Sequence, residues 1–472
     1  MLKQEPPKGD TPGPPTPPTP PTPPTPPTPT PTPATPATPA TPATPPQSAE
    51  PATAPGRRGQ LRHLLGILGP GLVTGAADDD PSGIATYSQT GAQFGYGQLW
   101  TAAWMLPLVI GVQEACGRIG NITGQGLARN IKDHFSLRTL RFLVTLVVAA
   151  NVINIGADIG ALGGAATLII PIPAAVLMVV FTAVILALEI AVSYRKYAKV
   201  LKWLTVSLLA YPITAFLVHE PWATIFRATF VPHIEFTATF FFVITAVIGT
   251  TITPYMFFWQ TSQEVEENRG RKTRRSLRDL RTDNAIGMFF SQAVSWFIII
   301  VAATVLHTAH VTTINTAADA AKALEPLVHT FPHAGLIAQG LFALGIVSLG
   351  MLAIPVMAGS TSYALAEARG KKEGLDLKPR EGRYFYGVIA ASMLIGLCLN
   401  FIGVNPIRFL VFAAAFNGIA AVPLIWFVDR IAADRATMGA ARSGWLSRTT
   451  LLLTFLGMAG AVVATVISYV TG

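Results

Sequence analysis

Gly69-Pro-Gly-Leu-Val-Thr-Gly-Ala-Ala-Asp-Asp-Asp-Pro-Ser-Gly83 sets three consecutive carboxylates, Asp78, Asp79 and Asp80, in the middle of an apolar stretch. Leu64 to Ala77 upstream is apolar but too short to cross a bilayer alone, so the stretch reads as one span that continues through the acids. An Asp at the centre of a membrane helix costs about 2.5 to 3.5 kcal/mol on insertion scales, so three in a row require water, a proton or a cation nearby. Pro81 and Gly83 supply a break, because proline removes an amide donor and clashes with the preceding turn while glycine tolerates irregular backbone. Carboxylates together with carbonyls freed at a break are the donors a hard cation takes. A surface helix cap would also place acids here, but only a helix running through the break lets the topology described below alternate.

The rest of the chain supports a membrane setting. Of 472 residues 51% are hydrophobic and 12% charged, and apolar runs of about 18 or more residues recur. Most are apolar on every face, unlike the amphipathic helices of a soluble core. The net charge of +9 does not indicate nucleic acid, since the basic residues flank apolar runs and form no recognition helix or stacking platform. Cys116 and Cys398 are too few and too far apart in sequence for a disulfide framework or a thiolate metal site. Residues 1–56 are almost all Pro, Thr and Ala repeats, which cannot bury a core and favour extended polyproline conformations. They read as a disordered cytoplasmic tail, either passive or a ligand for a proline-reading partner, with a transmembrane domain over 57–472. No apolar run lies near Met1, so no cleavable signal peptide is expected.

Apolar length and polar punctuation give about eleven spans, centred near Ala76, Leu106, Ile153, Ile185, Leu209, Thr250, Ile298, Leu349, Ser392, Ala415 and Gly460. Basic residues fall almost entirely in alternate connections: Arg57 to Arg62, Arg118 to Arg141, Arg195 to Lys202, Arg269 to Arg281, Arg369 to Arg383 and Arg430 to Arg448. The opposite set holds only Arg227, Lys322 and Arg408. Lys and Arg are retained on the cytoplasmic side, so the expectation is a multi-pass inner (plasma) membrane protein, amino terminus in the cytoplasm and carboxyl terminus outside. The lipid bilayer is then its first partner.

A second interruption, Ile248-Gly-Thr-Thr-Ile-Thr-Pro-Tyr255, falls in the sixth span. A lone proline kink is common in membrane helices. Breaks in the first and sixth spans together are what a five-plus-five inverted repeat would give, with the substrate between them and the eleventh span peripheral. Asp158 in the third span is another buried carboxylate that needs a polar neighbour or a water path. Glu114 and Glu189 sit nearer span ends, where Arg118 and Arg195 can pair with them. His307, His310, His329 and His333 cluster after the seventh span, but Pro332 breaks their spacing and a solvated loop is the simpler reading. The pairs Gly71/Gly75 and Gly156/Gly160 point to close helix packing.

At these residues the chain resembles the NRAMP family of divalent-metal transporters. The resemblance covers roughly Leu64 to Val470 and is carried by Gly69-Pro-Gly71, Asp80-Pro-Ser-Gly83, Gly91-Ala-Gln-Phe-Gly-Tyr96 with Leu99-Trp100, and Arg118-Ile-Gly-Asn-Ile-Thr-Gly124 with Leu127-Ala128. It implies an all-α membrane fold of about eleven transmembrane helices, the LeuT/APC-like inverted repeat plus one peripheral helix, with a metal site between broken helices one and six. Two departures stand out. The family's Asp-Pro-Gly-Asn is Asp80-Pro81-Ser82-Gly83 here, which removes a side-chain amide ligand, and its Met-Pro-His is Thr253-Pro254-Tyr255, which removes a soft thioether. The family's proton-handling positions fall on Tyr255, Gln260 and Ala161. This pattern looks like the magnesium-transporting branch, which is similar in fold and, as the resemblance implies, uncoupled from protons.

The expected activity is therefore uptake of magnesium by alternating access without proton coupling. Asp80, the Gly83 backbone, the Thr250 carbonyl and the Thr253 hydroxyl form the expected oxygen cage, and Asp78 and Asp79 concentrate cations. Ser82, Tyr255, Asp158 and Asn417 are candidates to support the site or line the pathway. A proton-coupled manganese or iron transporter is the alternative. More remote is an intramembrane enzyme using Asp80 and Asp158 as acid and base, since no nucleophile or phosphate-cradling motif accompanies them. No resident cofactor is expected.

Overall fold

In the computed structural model, residues 70–192, 208–218, 221–269, 273–328 and 333–471 are described. The proline-rich tail, the start of the first span, Arg195 and His329 lie outside them. Every element among the described residues is helical.

The first span is two helices, Pro70–Asp78 and Pro81–Phe94, and the sixth is likewise two, Ala238–Thr251 and Pro254–Asn268. Both second halves begin on the proline, the residue that loses least at the first helical position and that cannot continue a helix already running. The missing N–H of Pro81 would have paired with the carbonyl of Ala77, four residues back, and that of Pro254 with the carbonyl of Thr250. Each break thus releases one buried acceptor.

The unbroken spans follow in order: the second over Trp100–Thr123, the third over Leu137–Ala166 and the fourth over Ala174–Ala191. The fifth is described only at its end, Ala210–Leu217. Then come the seventh over Leu277–Ala302, the eighth over Ala334–Arg369, the ninth over Arg383–Leu399, the tenth over Pro406–Ala433 and the eleventh over Trp445–Thr471. Among the described residues, eight helices are long and apolar enough to cross a membrane on those criteria alone. The remaining spans are the halved first, the second with its buried Gln113, Glu114 and Arg118, and the partly described fifth. Span ends carry ordinary caps: the hydroxyl of Ser136 accepts from Thr139 N, Asn405 caps the tenth span ahead of Pro406, and Gly124 and Gly370 close the second and eighth at φ of 67° and 64°.

The packing follows the repeat. The seventh span lies against both halves of the first, and in the matching position the second lies against the second half of the sixth. The third meets the ninth as the eighth meets the fourth. Glycines set these approaches. A Cβ on Gly75 would overlap the Gly287 carbonyl of the seventh span, and one on Gly249 would overlap the Ala414 carbonyl of the tenth. Gly156 meets the backbone of Gly396, so both small-residue pairs named from the sequence are packing sites. The eleventh span is 17% buried over its apolar window against 89% for the sixth, which makes it the peripheral helix.

Candidate metal site between the broken spans

Asp80 caps the second half of the first span. Its Oδ1 accepts from the Gly83 amide at 2.8 Å and from the Ser82 hydroxyl at 2.6 Å. Gly83 therefore contributes an N–H donor that holds Asp80 in place. A side chain at residue 83 would also crowd the Tyr87 ring, the Asp78 carbonyl and the Thr250 hydroxyl, so glycine keeps the two breaks close.

The sixth span reaches the same place. The hydroxyls of Ser82 and Thr250 lie 3.2 Å apart, and Thr250 and Thr253 are fully buried. Pro254 leaves the Thr250 carbonyl without its helical N–H partner. Tyr255 ties the breaks together by donating its hydroxyl to the Ala77 carbonyl at 2.9 Å, the acceptor released by Pro81. It supports the site through backbone and presents no hydroxyl to Asp80.

Two further residues, Asn154 and Met357, were not among the candidates read from the sequence. Asn154 of the third span donates its amide Nδ2 to Asp80 Oδ2 at 3.1 Å and to the Met357 thioether at 2.9 Å. Met357 belongs to the eighth span and is fully buried. Asn417 of the tenth span donates to Asn154 Oδ1 at 3.0 Å, so it joins the site through Asn154. Asp158, one turn beyond Asn154, is fully buried on the same helix. The available signal in the sequence was the polar series Asn151, Asn154 and Asp158 at helical spacing inside an apolar span. Met357 carried no signal, because a methionine in an apolar run reads as core.

Asp78 and Asp79 face elsewhere. The Ser291 hydroxyl donates to Asp78 Oδ2 at 2.5 Å and lies 3.3 Å from Asp79 Oδ1, and Ser295 is 3.5 Å from the same oxygen. Both acids are buried against the seventh span, so they do not form an open cation-collecting mouth. Among the other sequence candidates, Glu114 pairs with Arg118 at 3.0 Å and with Arg281 at 2.9 Å. His307 contacts the Ala92 carbonyl, and no group of three or more His, Cys, Asp or Glu arranged for a metal occurs among the described residues.

The site is closed at both ends. Asp80 is 1% exposed. Toward one end a polar chain runs from the Thr74 hydroxyl to Gln260 at 2.6 Å, from Gln260 to Glu264, and from Glu264 through Arg275 at 2.9 Å to Asp283 at 3.0 Å. Asp283 in turn accepts from the Gly71 amide at 2.8 Å. Toward the other end Gln89 bonds the Thr312 carbonyl and the Ile314 amide, and Tyr96 bonds Thr304. A buried carboxylate, two hydroxyls and a thioether lie together beside the breaks, between two closed ends, and such donors suit a desolvated or partly hydrated cation.

The model of the natural resistance-associated macrophage protein-like (Nramp) family matches residues 71–468 of the chain. Among solved structures, the chain is similar to that of the Eremococcus coleocola manganese transporter bound to an aromatic bis-isothiourea compound. The two are 16% identical with a TM-score of 0.67 over 88% of each chain. Two variant forms of the same transporter match with TM-scores of 0.66 and 0.64 over 88% of each chain.

Proposed function

The chain belongs to the Nramp family and is a divalent metal transporter; on that premise we propose that its cargo binds at Asp80 and that this cargo is a transition ion of the manganese class. The observation that supports this ion is that the Met357 sulfur and Asp80 Oδ2 lie 2.9 Å and 3.1 Å from one Asn154 nitrogen. Softer donors favour transition ions over magnesium, which takes oxygen. The expectation of magnesium rested on donors of the first and sixth spans alone. A sulfur brought in by the eighth span argues against an oxygen-only site. The similar solved structures being those of a manganese transporter points the same way. The family is one of transporters, and Asp80 is committed to capping and anchoring, which leaves the intramembrane enzyme without support.

Transport proceeds by alternating opening of the two sealed ends, with the breaks as the moving parts. The Arg275 end faces the cytoplasm, as the basic run Arg269 to Arg281 favours, and the amino terminus lies on that side. An inside-negative potential of about 100 mV then contributes about 4.6 kcal/mol per divalent ion entering. Deleting residues 1–55 tests whether the proline-rich tail takes part in this activity, as a ligand for a proline-reading partner or otherwise.

A second reading, magnesium uptake without proton coupling, is favoured by the Ser82 and Thr250 hydroxyls 3.2 Å apart beside Asp80. Protein reconstituted in liposomes, with manganese and magnesium influx followed side by side and an internal pH dye, separates the two. Manganese entry well above magnesium supports the manganese reading. Magnesium entry without acidification, at rates matching or exceeding manganese, establishes the second.

A further inference from the structure

Asn154 lies fully buried between the first, eighth and tenth spans, with its two amide ends in different company. Its Nδ2 faces Asp80 Oδ2 and the Met357 sulfur, both acceptors, and its Oδ1 accepts from Asn417 Nδ2 at 3.0 Å. Asn417 is also fully buried, and its own Oδ1 has no hydrogen-bond partner among the described residues. A buried amide oxygen without a partner is costly and asks for a reason.

We propose that Asn154 is a metal ligand that comes into play by reversing its amide, and that Asn417 is a positioning residue that reverses with it. This rests on the reading that the cargo ion binds at Asp80. A cation that takes Asp80 Oδ2 and the Met357 sulfur meets N–H hydrogens directed at the same two atoms, and an amide N–H cannot face a cation. The two ends of a side-chain amide are nearly equal in size, so a half-turn exchanges the NH2 for the oxygen without repacking. That half-turn would set the Asn154 NH2 against the Asn417 NH2, leaving two buried donors opposed. The unpartnered Oδ1 of Asn417 removes the conflict: if Asn417 also turns, it accepts from Asn154 and the pair is satisfied again. The two asparagines thus have two self-consistent settings, one donating to Asp80 and one presenting oxygen to an ion. Loading at the broken first span is thereby felt by the tenth span. In the second setting the ion meets a carboxylate oxygen, an amide oxygen and a thioether, a mixed set suited to manganese or cadmium.

The test is isothermal titration of manganese and of cadmium, as the softer probe, into the full-length purified protein. Asn154→Leu, which keeps the volume and removes both amide ends, is expected to weaken binding roughly tenfold or more. Asn417→Asp offers only acceptors, so it holds the Asn154 NH2 away from Asp80 and is expected to tighten cadmium binding several-fold. In the Asn154→Leu background the same Asn417→Asp change is expected to do nothing. Equal tightening in both backgrounds would mean general attraction by added charge and would overturn the paired reversal. Native affinity in Asn154→Leu would overturn the ligand. If Asn154→Leu does not fold, Asn154→Asp serves instead: it always presents oxygen and is expected to bind cadmium at least as tightly as the native chain, and weaker binding overturns the ligand. Asp80→Asn is the control for the underlying reading. Binding that survives Asp80→Asn locates the ion elsewhere, an outcome distinct from any failure at Asn154.

Discussion

Asp80 divides its carboxylate between two tasks: Oδ1 is taken by Ser82 and Gly83 at the start of a helix, and Oδ2 is left toward Asn154. Asn serves almost as well as Asp as a helix cap, while Ala does not, so the tasks can be separated. Asp80→Asn is expected to reduce metal influx roughly 100-fold or more with the melting temperature nearly unchanged, whereas Asp80→Ala should also lose about 1 kcal/mol of stability. An Asp80→Asn protein that transports normally would remove the anchor role. Met357→Leu conserves volume and deletes the sulfur. It is expected to lower manganese influx roughly tenfold while leaving any magnesium influx in place, and an unchanged ratio of the two would count against the thioether. At this scale the sequence pointed to Asp80 and to both breaks, because acids and prolines inside an apolar span cost too much to be there for packing alone. It carried neither Asn154 nor Met357 as donors, since their meaning depends on which helices lie side by side.

Within single elements, proline chemistry accounts for both interruptions. Pro81 leaves the Ala77 carbonyl without its helical partner and Tyr255 fills the gap from the sixth span, whereas Pro254 takes the helical partner from the Thr250 carbonyl by the same loss. The two breaks were legible from residue order alone, as were the glycine pairs. What the glycines touch was not, because GxxxG spacing names a face and not a partner. Gly75 meets the backbone of Gly287 with no room for a methyl group, while Gly457 on the eleventh span has nothing within 4 Å of where its Cβ would be. Gly75→Ala is therefore expected to cost roughly 1 to 3 kcal/mol or more, and Gly457→Ala very little. Thermal unfolding of the two variants in detergent, followed by size-exclusion, checks this. Equal melting temperatures would show that the first and seventh spans are packed more loosely than described.

At the scale of the whole molecule, one end is closed by a buried ion network in which Thr74, Gln260, Glu264, Arg275 and Asp283 join the first, sixth and seventh spans. Breaking a buried ion network by removing one partner leaves uncompensated charge, so this seal is costly to open halfway and tends to open as a unit. Arg275→Met is expected to shift the population toward opening at that end. In a Cys398→Ser background with Thr74→Cys, a membrane-impermeant thiol reagent should react several-fold faster once Arg275 is replaced. No change in rate would place the moving seal elsewhere. The eleven spans and their repeat were readable because apolar length, basic punctuation and the two breaks agree with one another. The closure of each end was not, since it is built from residues such as Gln89 and Thr312 whose contacts arise only in the folded chain.

The glycine contacts also limit how such a protein can move. Where Gly75 lies on Gly287 and Gly249 on the backbone of the tenth span, main chain rests on main chain, with no flexible side chains between to act as a bearing. Such surfaces resist sliding, so the first half of the first span travels with the seventh, and the first half of the sixth with the tenth. The displacement of each transport cycle is then concentrated at two short joints, Asp79–Asp80 and Ile252–Thr253, the same few peptide units at which we propose the cargo binds. Gripping the ion and swinging the helices become one event in one place, and a change that stiffens either joint should slow turnover even if it leaves every donor in position.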